Sequence, residues 1–136
     1  MEEYIVVTME RNPVIYRGYR NTSKGALVDR SDEKKLDPRA DLIEHSPDGF
    51  EWGYGGSGPA QLALAIIADT LRDRMPNKAE ADRMTMTVYQ DFKMHIIQGL
   101  SYNTWQLEQD AVFNWFLEHV KKFEPKIYAI VAKRGE

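Results

Sequence analysis

Cysteine is absent from this 136-residue chain. That excludes a disulfide framework, a thiolate metal site and a thiol nucleophile. Long apolar runs are missing as well, and nothing approaches the ~18 consecutive apolar residues of a membrane-spanning helix. An excess of positive charge is also lacking: Lys and Arg number 18 against 21 Asp and Glu, a formal net charge of −3 with neutral histidines. This argues against a strongly basic nucleic-acid binder and leaves only a local basic patch to consider. The opening residues, MEEYIVVTMERN, are acidic where a secretory leader is basic, and their apolar stretch is too short for one. No internal repeat and no low-complexity segment interrupts the chain. What remains is 43 % hydrophobic, 11 % aromatic and 29 % charged. A domain of this length hides roughly 65–70 % of the surface its unfolded chain exposes. The expectation is a single domain over residues 1–136, soluble and cytoplasmic (in the host cytoplasm if the chain is viral), without a membrane partner.

The first third reads as strands. Tyr4-Ile5-Val6-Val7-Thr8 and Val14 to Arg20 have the β-branched and aromatic composition that suits a pleated surface. Alternation along the second puts Val14, Tyr16 and Gly18 on one face and Ile15, Arg17 and Tyr19 on the other. Asn21 to Gly25 is a turn, with Ala26-Leu27-Val28 as the return strand, and Phe50 to Tyr54 alternates as another strand would. The segment 31–39 reads as a charged loop. From Pro59 helix formers dominate. Ala60, Leu64, Ile67 and Leu71 make one apolar stripe, Leu62 and Ile66 a second, and only a thin seam at Gln61, Asp69 and Arg72 is polar. A second helix is expected over about 78–98, with Met84, Val88 and Phe92 inward, and a third over about 108–123, closed by Pro125. Lys126 to Ala132 reads as a C-terminal strand returning to the sheet. The fold class is therefore α+β: N-terminal strands plus a C-terminal one, packed on about three helices around a central buried helix from about residue 59.

One stretch is not generic. In FEWGYGGSGPAQLALAII, residues 50–67, Gly53, Gly55, Gly56 and Gly58 crowd between a strand-like segment and a helix that opens with Pro59. Glycines in such number point either to backbone approaching a ligand or to tight packing of Trp52, Tyr54 and the helix. The free N–H groups and positive dipole end of a helix's first turn attract anions, and Ser57 is placed to cap the helix or to donate to one. No Lys-Ser/Thr follows, so this is not a Walker A loop, and the glycine spacing does not fit the dinucleotide fingerprint.

YRGYR at 16–20, HSPDGFEWGYGGSGPAQLALAII at 45–67, YQDFK at 89–93 and the pair Trp105-x-Leu107 resemble a family of small uncharacterised proteins. That family occurs in bacteria, archaea, plasmids and phages and is known only as a domain of unknown function. The resemblance covers roughly residues 14–117, with the Trp-Gly-Tyr-Gly-Gly-Ser-Gly-Pro-Ala-Gln core as its hallmark. The segments 31–39, 72–86 and the C-terminus have no counterpart in it. It supplies no catalytic residue; what it implies is a mobile-element or viral setting, in which small proteins counter host defences or bind nucleotides.

Other chemistry is sparse. His45, Asp48 and Glu51 offer an acid–base set beside the glycines, although Ser46-Pro47-Asp48-Gly49 is also explained as a turn. His45, His95 and His119 lack metal-ligand spacing, so neither metal nor cofactor is expected. Arg17 and Arg20, beside Tyr16 and Tyr19, offer a planar fork for phosphate. The leading expectation is a binding module, not an enzyme, for a phosphate-bearing small molecule or nucleotide. Its site would comprise Arg17, Arg20, Trp52, Tyr54, Gly55, Gly56, Ser57, Gly58 and Gln61, in an accessory or anti-defence role. The competing expectations are a protein-interaction inhibitor of a host protein with a purely structural glycine loop, and a small hydrolase or nuclease built on His45, Asp48 and Glu51. Self-association is compatible with each.

Overall fold

The computed structural model describes residues 13–126, 128 and 129. β1 (Ile15–Asn21) and β2 (Gly25–Arg30) form an antiparallel hairpin, with Tyr16 opposite Arg30 and Gly18 opposite Val28. Its turn is held by Asn21, whose side-chain oxygen accepts from the Ser23 and Lys24 amides at 2.9 and 3.2 Å, the local bonding that makes Asn a turn residue. A short β3 (Trp105–Glu108) pairs antiparallel with the other edge of β1, giving the order β2-β1-β3. Between hairpin and β3 lie α1 (Ser57–Arg74), α2 (Lys78–His95) and a 3-10 turn, Ile97–Gly99. α3 (Gln109–Phe123) follows β3 directly. The fold is α+β, and no helix among the described residues is long and apolar enough to cross a membrane.

Two strands expected from the sequence are placed differently. The third strand of the sheet is β3, not the C-terminal segment: residues 125, 126, 128 and 129 are helical, and the Tyr128 amide donates to the Glu124 carbonyl at 3.0 Å. Pro125 ends α3 and opens this further turn, a first-turn position where its missing N–H costs nothing. The rest of 126–132, and all of Tyr4–Thr8, lie outside the described residues. Phe50–Tyr54 is an irregular segment; only Trp52 is fully buried, Phe50 packs against the core from its edge, and the Gly53 amide donates to the Ile97 carbonyl at 3.0 Å rather than to a strand.

α1 is the centre of the molecule. Every residue from Gly58 to Leu71 except Asp69 is buried, so the helix has no solvent face of the kind an amphipathic surface helix shows. Its small residues Ala60, Ala63, Ala65 and Ala68 let neighbours close in. α2 contributes Met84, Val88 and Phe92, and α3 contributes Val112, Phe116 and Val120, all buried at a helical spacing. Met86 and Met94 face solvent. α2 begins at Asn77, whose side chain accepts from the Glu80 amide at 2.9 Å, a capping bond that satisfies one of the helix's orphan donors.

The inner face of the sheet carries Tyr16, Gly18, Trp105 and Val28 toward this core. Gly18 is there for room. A Cβ built on it would stand 2.2 Å from the Trp105 indole, which lies across the strand and meets the edge of Trp52 at 5.5 Å between ring centres. Gly18→Ala is therefore expected to displace Trp105. A destabilisation of about 1–3 kcal/mol in urea unfolding should follow, with a shift in tryptophan emission; unchanged emission and stability would show that the indole has slack.

Candidate functional site

Residues 31–56 link β2 to α1 without regular structure, yet they are tied down at several points. Gln61, on α1 and 1 % exposed, spends its whole amide on this loop. Its oxygen accepts from the His45 and Ser46 amides at 2.6 and 3.0 Å, and its nitrogen donates to the Pro38 and Ile43 carbonyls at 2.6 and 3.1 Å. All four hydrogen-bonding positions of the amide are used. Arg39, a non-glycine residue at φ 57°, grips Asp41 and reaches Asp82 of α2 with both terminal nitrogens at 3.1 Å. Arg72 holds the same Asp82 at 2.6 and 3.0 Å. The His45 ring bonds the Tyr89 hydroxyl at 2.7 Å.

The loop delivers the glycines to the start of α1. Gly56 caps the helix at φ 145° and ψ −167°, a conformation open to glycine and hostile to side chains. It makes no side-chain capping bond, and the first turn holds no acidic residue. Ser57, Gly55 and Gly56 are exposed, and Tyr54 is 50 % exposed beside them. Gly58 is buried because the Glu51 side chain lies on it; a Cβ there would come within 2.7 Å of the Glu51 Cβ. Glu51 in turn receives Arg20, at 2.9 and 3.2 Å. The Arg20 Nε donates to the Tyr102 carbonyl at 2.8 Å, and its guanidinium lies 3.8 Å from the Tyr102 ring centre and 4.5 Å from that of Trp52. The hydrogen bond to Glu51 holds the Arg20 pKa above its ordinary value.

The expected site residues thus separate. Arg20, Tyr54, Gly55, Gly56, Ser57 and Gly58 belong to one neighbourhood at the mouth of α1. Trp52 is fully buried, its indole N–H donating to the Tyr102 carbonyl at 2.8 Å, so its ring underlies Arg20 and does not face solvent. Gln61 is buried in the loop it organises. Arg17 is exposed on the opposite face of the sheet from Arg20, because three residues along a strand reverse the side. Of the acid–base set, the His45 ring is occupied by Tyr89, the Glu51 carboxylate by Arg20, and Asp48 is exposed. Sequence reasoning missed Tyr102, whose carbonyl ties Arg20 to Trp52; a single Tyr between Leu100 and Trp105 gives no periodic signal. Among the described residues no group of three His, Asp or Glu side chains is arranged to hold a metal ion.

A second polar cluster lies under the sheet. The Tyr16 hydroxyl donates to Asp69 at 2.6 Å and bonds Thr70 at 3.0 Å, and Arg30, 5 % exposed, reaches Asp69 at 2.5 Å and Asp73 at 3.1 Å. Gln109 donates to the Tyr16 hydroxyl at 3.0 Å and to Asp73 at 2.9 Å. Burial pushes the Asp69 carboxyl and the Tyr16 phenol upward. The cluster joins sheet, α1 and α3.

The profile of a family described as "Family of unknown function (DUF6166)" matches residues 16–118. No curated protein and no solved structure matches the chain.

The hydrogen bond from Arg72, helped by Arg39, lowers the Asp82 carboxyl to about 2. A lowered carboxylate stabilises the fold above its unfolded pKa and loses that contribution as the pH falls through the folded value. The stability gap between the natural chain and Asp82→Asn should accordingly be full above about pH 4 and close toward about pH 2. Urea titrations across that range check it; a gap independent of pH would mean that the carboxylate's charge does not hold the loop.

Proposed function

The chain belongs to the DUF6166 family, whose function is unknown, so its role has to be read from its own residues, and we propose that it is a binding module for a phosphate-bearing small molecule, with a nucleotide as the fullest form of that ligand. The supporting observation is the mouth of α1, where a buried helix opens at an exposed Ser57 with no side-chain cap and no acidic residue in its first turn. Ser57 and Gly58 bring the turn's free backbone N–H groups, since Pro59 has none and the Ala60 amide already donates to the Gly56 carbonyl at 3.0 Å. An oxyanion there meets those donors, the Ser57 hydroxyl and the positive end of the helix dipole. Because α1 is packed on all sides, these donors are held in place before a ligand arrives.

Arg20 supplies positive potential at the same mouth, although Glu51 neutralises part of it, so its contribution is steering more than direct grip. Tyr54 and Tyr102, 50 % and 63 % exposed, offer ring faces against which a base can stack. The mobile-element setting implied by the sequence resemblance fits an accessory or anti-defence protein that sequesters its ligand in the host cytoplasm. That role is part of the same proposal.

Calorimetry with AMP and with inorganic phosphate tests this reading. AMP should bind, weakening as salt rises from about 50 to about 500 mM. Ser57→Asp should place a carboxylate where the oxyanion sits, stabilising the helix by about 0.3–1 kcal/mol while binding falls at least about tenfold through like-charge repulsion. Tyr54→Ala should reduce the preference for AMP over phosphate. Absence of saturable AMP binding, or Ser57→Asp binding like the natural chain, overturns the proposal.

A further inference from the structure

Five of the seven arginines among the described residues are spent on carboxylates. Arg20, Arg30, Arg39, Arg72 and Arg74 each grip at least one. Among the described residues, Arg17 and Arg83 grip none. Arg83 is an exposed helix residue, whereas Arg17 stands on the central strand of the sheet, on its outer face. Its cross-strand partners are Asp29 on β2 and Gln106 on β3. Oppositely charged residues facing each other across strands ordinarily pair. Arg17 and Asp29 do not, and the Asp29 side chain has no hydrogen-bond partner among the described residues, its Oδ1 being buried outright. An unpaired carboxylate oxygen shut off from water is costly and calls for a reason.

Both residues line a cleft of about 450 Å³ together with Glu33, Lys34, Lys35 and Leu36. The cleft is built, not incidental. Asp32 folds the segment by accepting from Arg30 at 3.0 and 2.8 Å and from the Lys34 amide at 3.3 Å. Glu33 sits at φ 67°, Lys35 bridges its backbone to Asp29, and Leu36 is buried below. Among the described residues, the wall therefore presents three cations without a carboxylate partner, Arg17, Lys34 and Lys35, beside two unpaired carboxylates, Asp29 and Glu33.

We infer that this cleft binds a hydroxylated phosphate monoester, a sugar-phosphate-like molecule, with its oxyanion on Arg17, Lys34 and Lys35 and a hydroxyl donating to Asp29 Oδ2, the carboxylate oxygen that is not buried. The two chemistries act together. The guanidinium fork suits a phosphate, while the Asp29 carboxylate repels a bare oxyanion and accepts from a ligand that brings a hydroxyl donor. Such an arrangement selects the ester over inorganic phosphate through an unfavourable element as well as a favourable one. It goes beyond the proposed function and does not rest on it, because Arg17 and Asp29 stand on the sheet face opposite Arg20.

Amide chemical-shift titrations of the full chain with ribose 5-phosphate and with inorganic phosphate test the inference. Ribose 5-phosphate should bind at least about tenfold tighter than phosphate, with shifts centred on residues 17, 29 and 31–36. Arg17→Met, on a solvent-facing position, should weaken both probes at least about tenfold, and Arg17→Lys should already weaken them, since Lys lacks the fork. Asp29→Asn should strengthen phosphate and bring the two probes within about threefold of each other. Ser57→Asp should leave these shifts unchanged. No saturable shifts at residues 17–36, an unaltered Arg17→Met, or shifts confined to residues 54–58 and lost in Ser57→Asp would each overturn it. The last outcome assigns the phosphate to the mouth of α1 and leaves the proposed function standing.

Discussion

A helix buried on every side cannot leave its polar side chains to water, and that constraint on α1 organises the rest of the chain. Only three polar residues interrupt its apolar surface between Gly58 and Leu71: Gln61, Asp69 and Thr70. Each must find its partners inside the protein, because an unmade bond in the core costs more than a made one contributes. Gln61 finds them in the backbone of the 38–46 segment, Asp69 in Tyr16 and Arg30, and Thr70 in the same Tyr16 hydroxyl. Gln61 thereby gives an irregular loop a fixed path, and Asp69 fixes how the sheet sits on the helix. The helix acts as core and as template at once.

Charge does the remaining positioning, again through a few shared acceptors. Asp82 takes two arginines, one from α1 and one from the loop, so that loop, α1 and α2 meet at one carboxylate. Arg39 accepts a left-handed backbone for this, which costs a residue with a side chain of order 1–3 kcal/mol. The bonds to Asp41 and Asp82 over-determine its position and offset that strain. Exposed ion pairs contribute little singly, whereas bidentate ones that share an acceptor and are mostly screened from water contribute more. Residues 31–56 behave as a folded element without being a helix or a strand, and the glycines at their end inherit that rigidity.

How far the sequence reaches can be followed residue by residue. α1 was legible because a buried helix carries apolar residues all round, and its thin polar seam was visible as Gln61 and Asp69. What that seam does was not legible, since Gln61 pairs with backbone groups whose position depends on the finished loop. The β1–β2 hairpin was legible from alternation and from Asn21-to-Gly25 turn chemistry. β3 escaped because four residues give only two inward side chains, Trp105 and Leu107, too few to establish a period. Phe50–Tyr54 misled for the opposite reason: its alternation of aromatic and small residues reflects one buried Trp52 and the room its neighbours leave, not a pleat. At the candidate site the glycine run was visible, but the role of Arg20 depended on Tyr102, far along the chain and unmarked by any motif.

The separation of Arg17 from Arg20 shows why proximity in sequence was a poor guide to function here. Both flank the Gly18-Tyr19 pair and both are arginines near tyrosines, yet their spacing is odd, and a strand sends odd spacings to opposite faces. Arg20 goes inward, where Glu51, Tyr102 and Trp52 engage its donors and its π-face. Arg17 goes outward, where the one acid opposite it is left unbonded. The same side chain is a structural clamp in one place and an unspent donor set in the other, and only the unspent one has its full fork left for a ligand. A guanidinium already saturated by a carboxylate can shape a field but must break existing bonds before it grips an anion. Under the two proposals, direct recognition by arginine falls to the sheet's outer face, and recognition at the mouth of α1 to backbone N–H groups and Ser57.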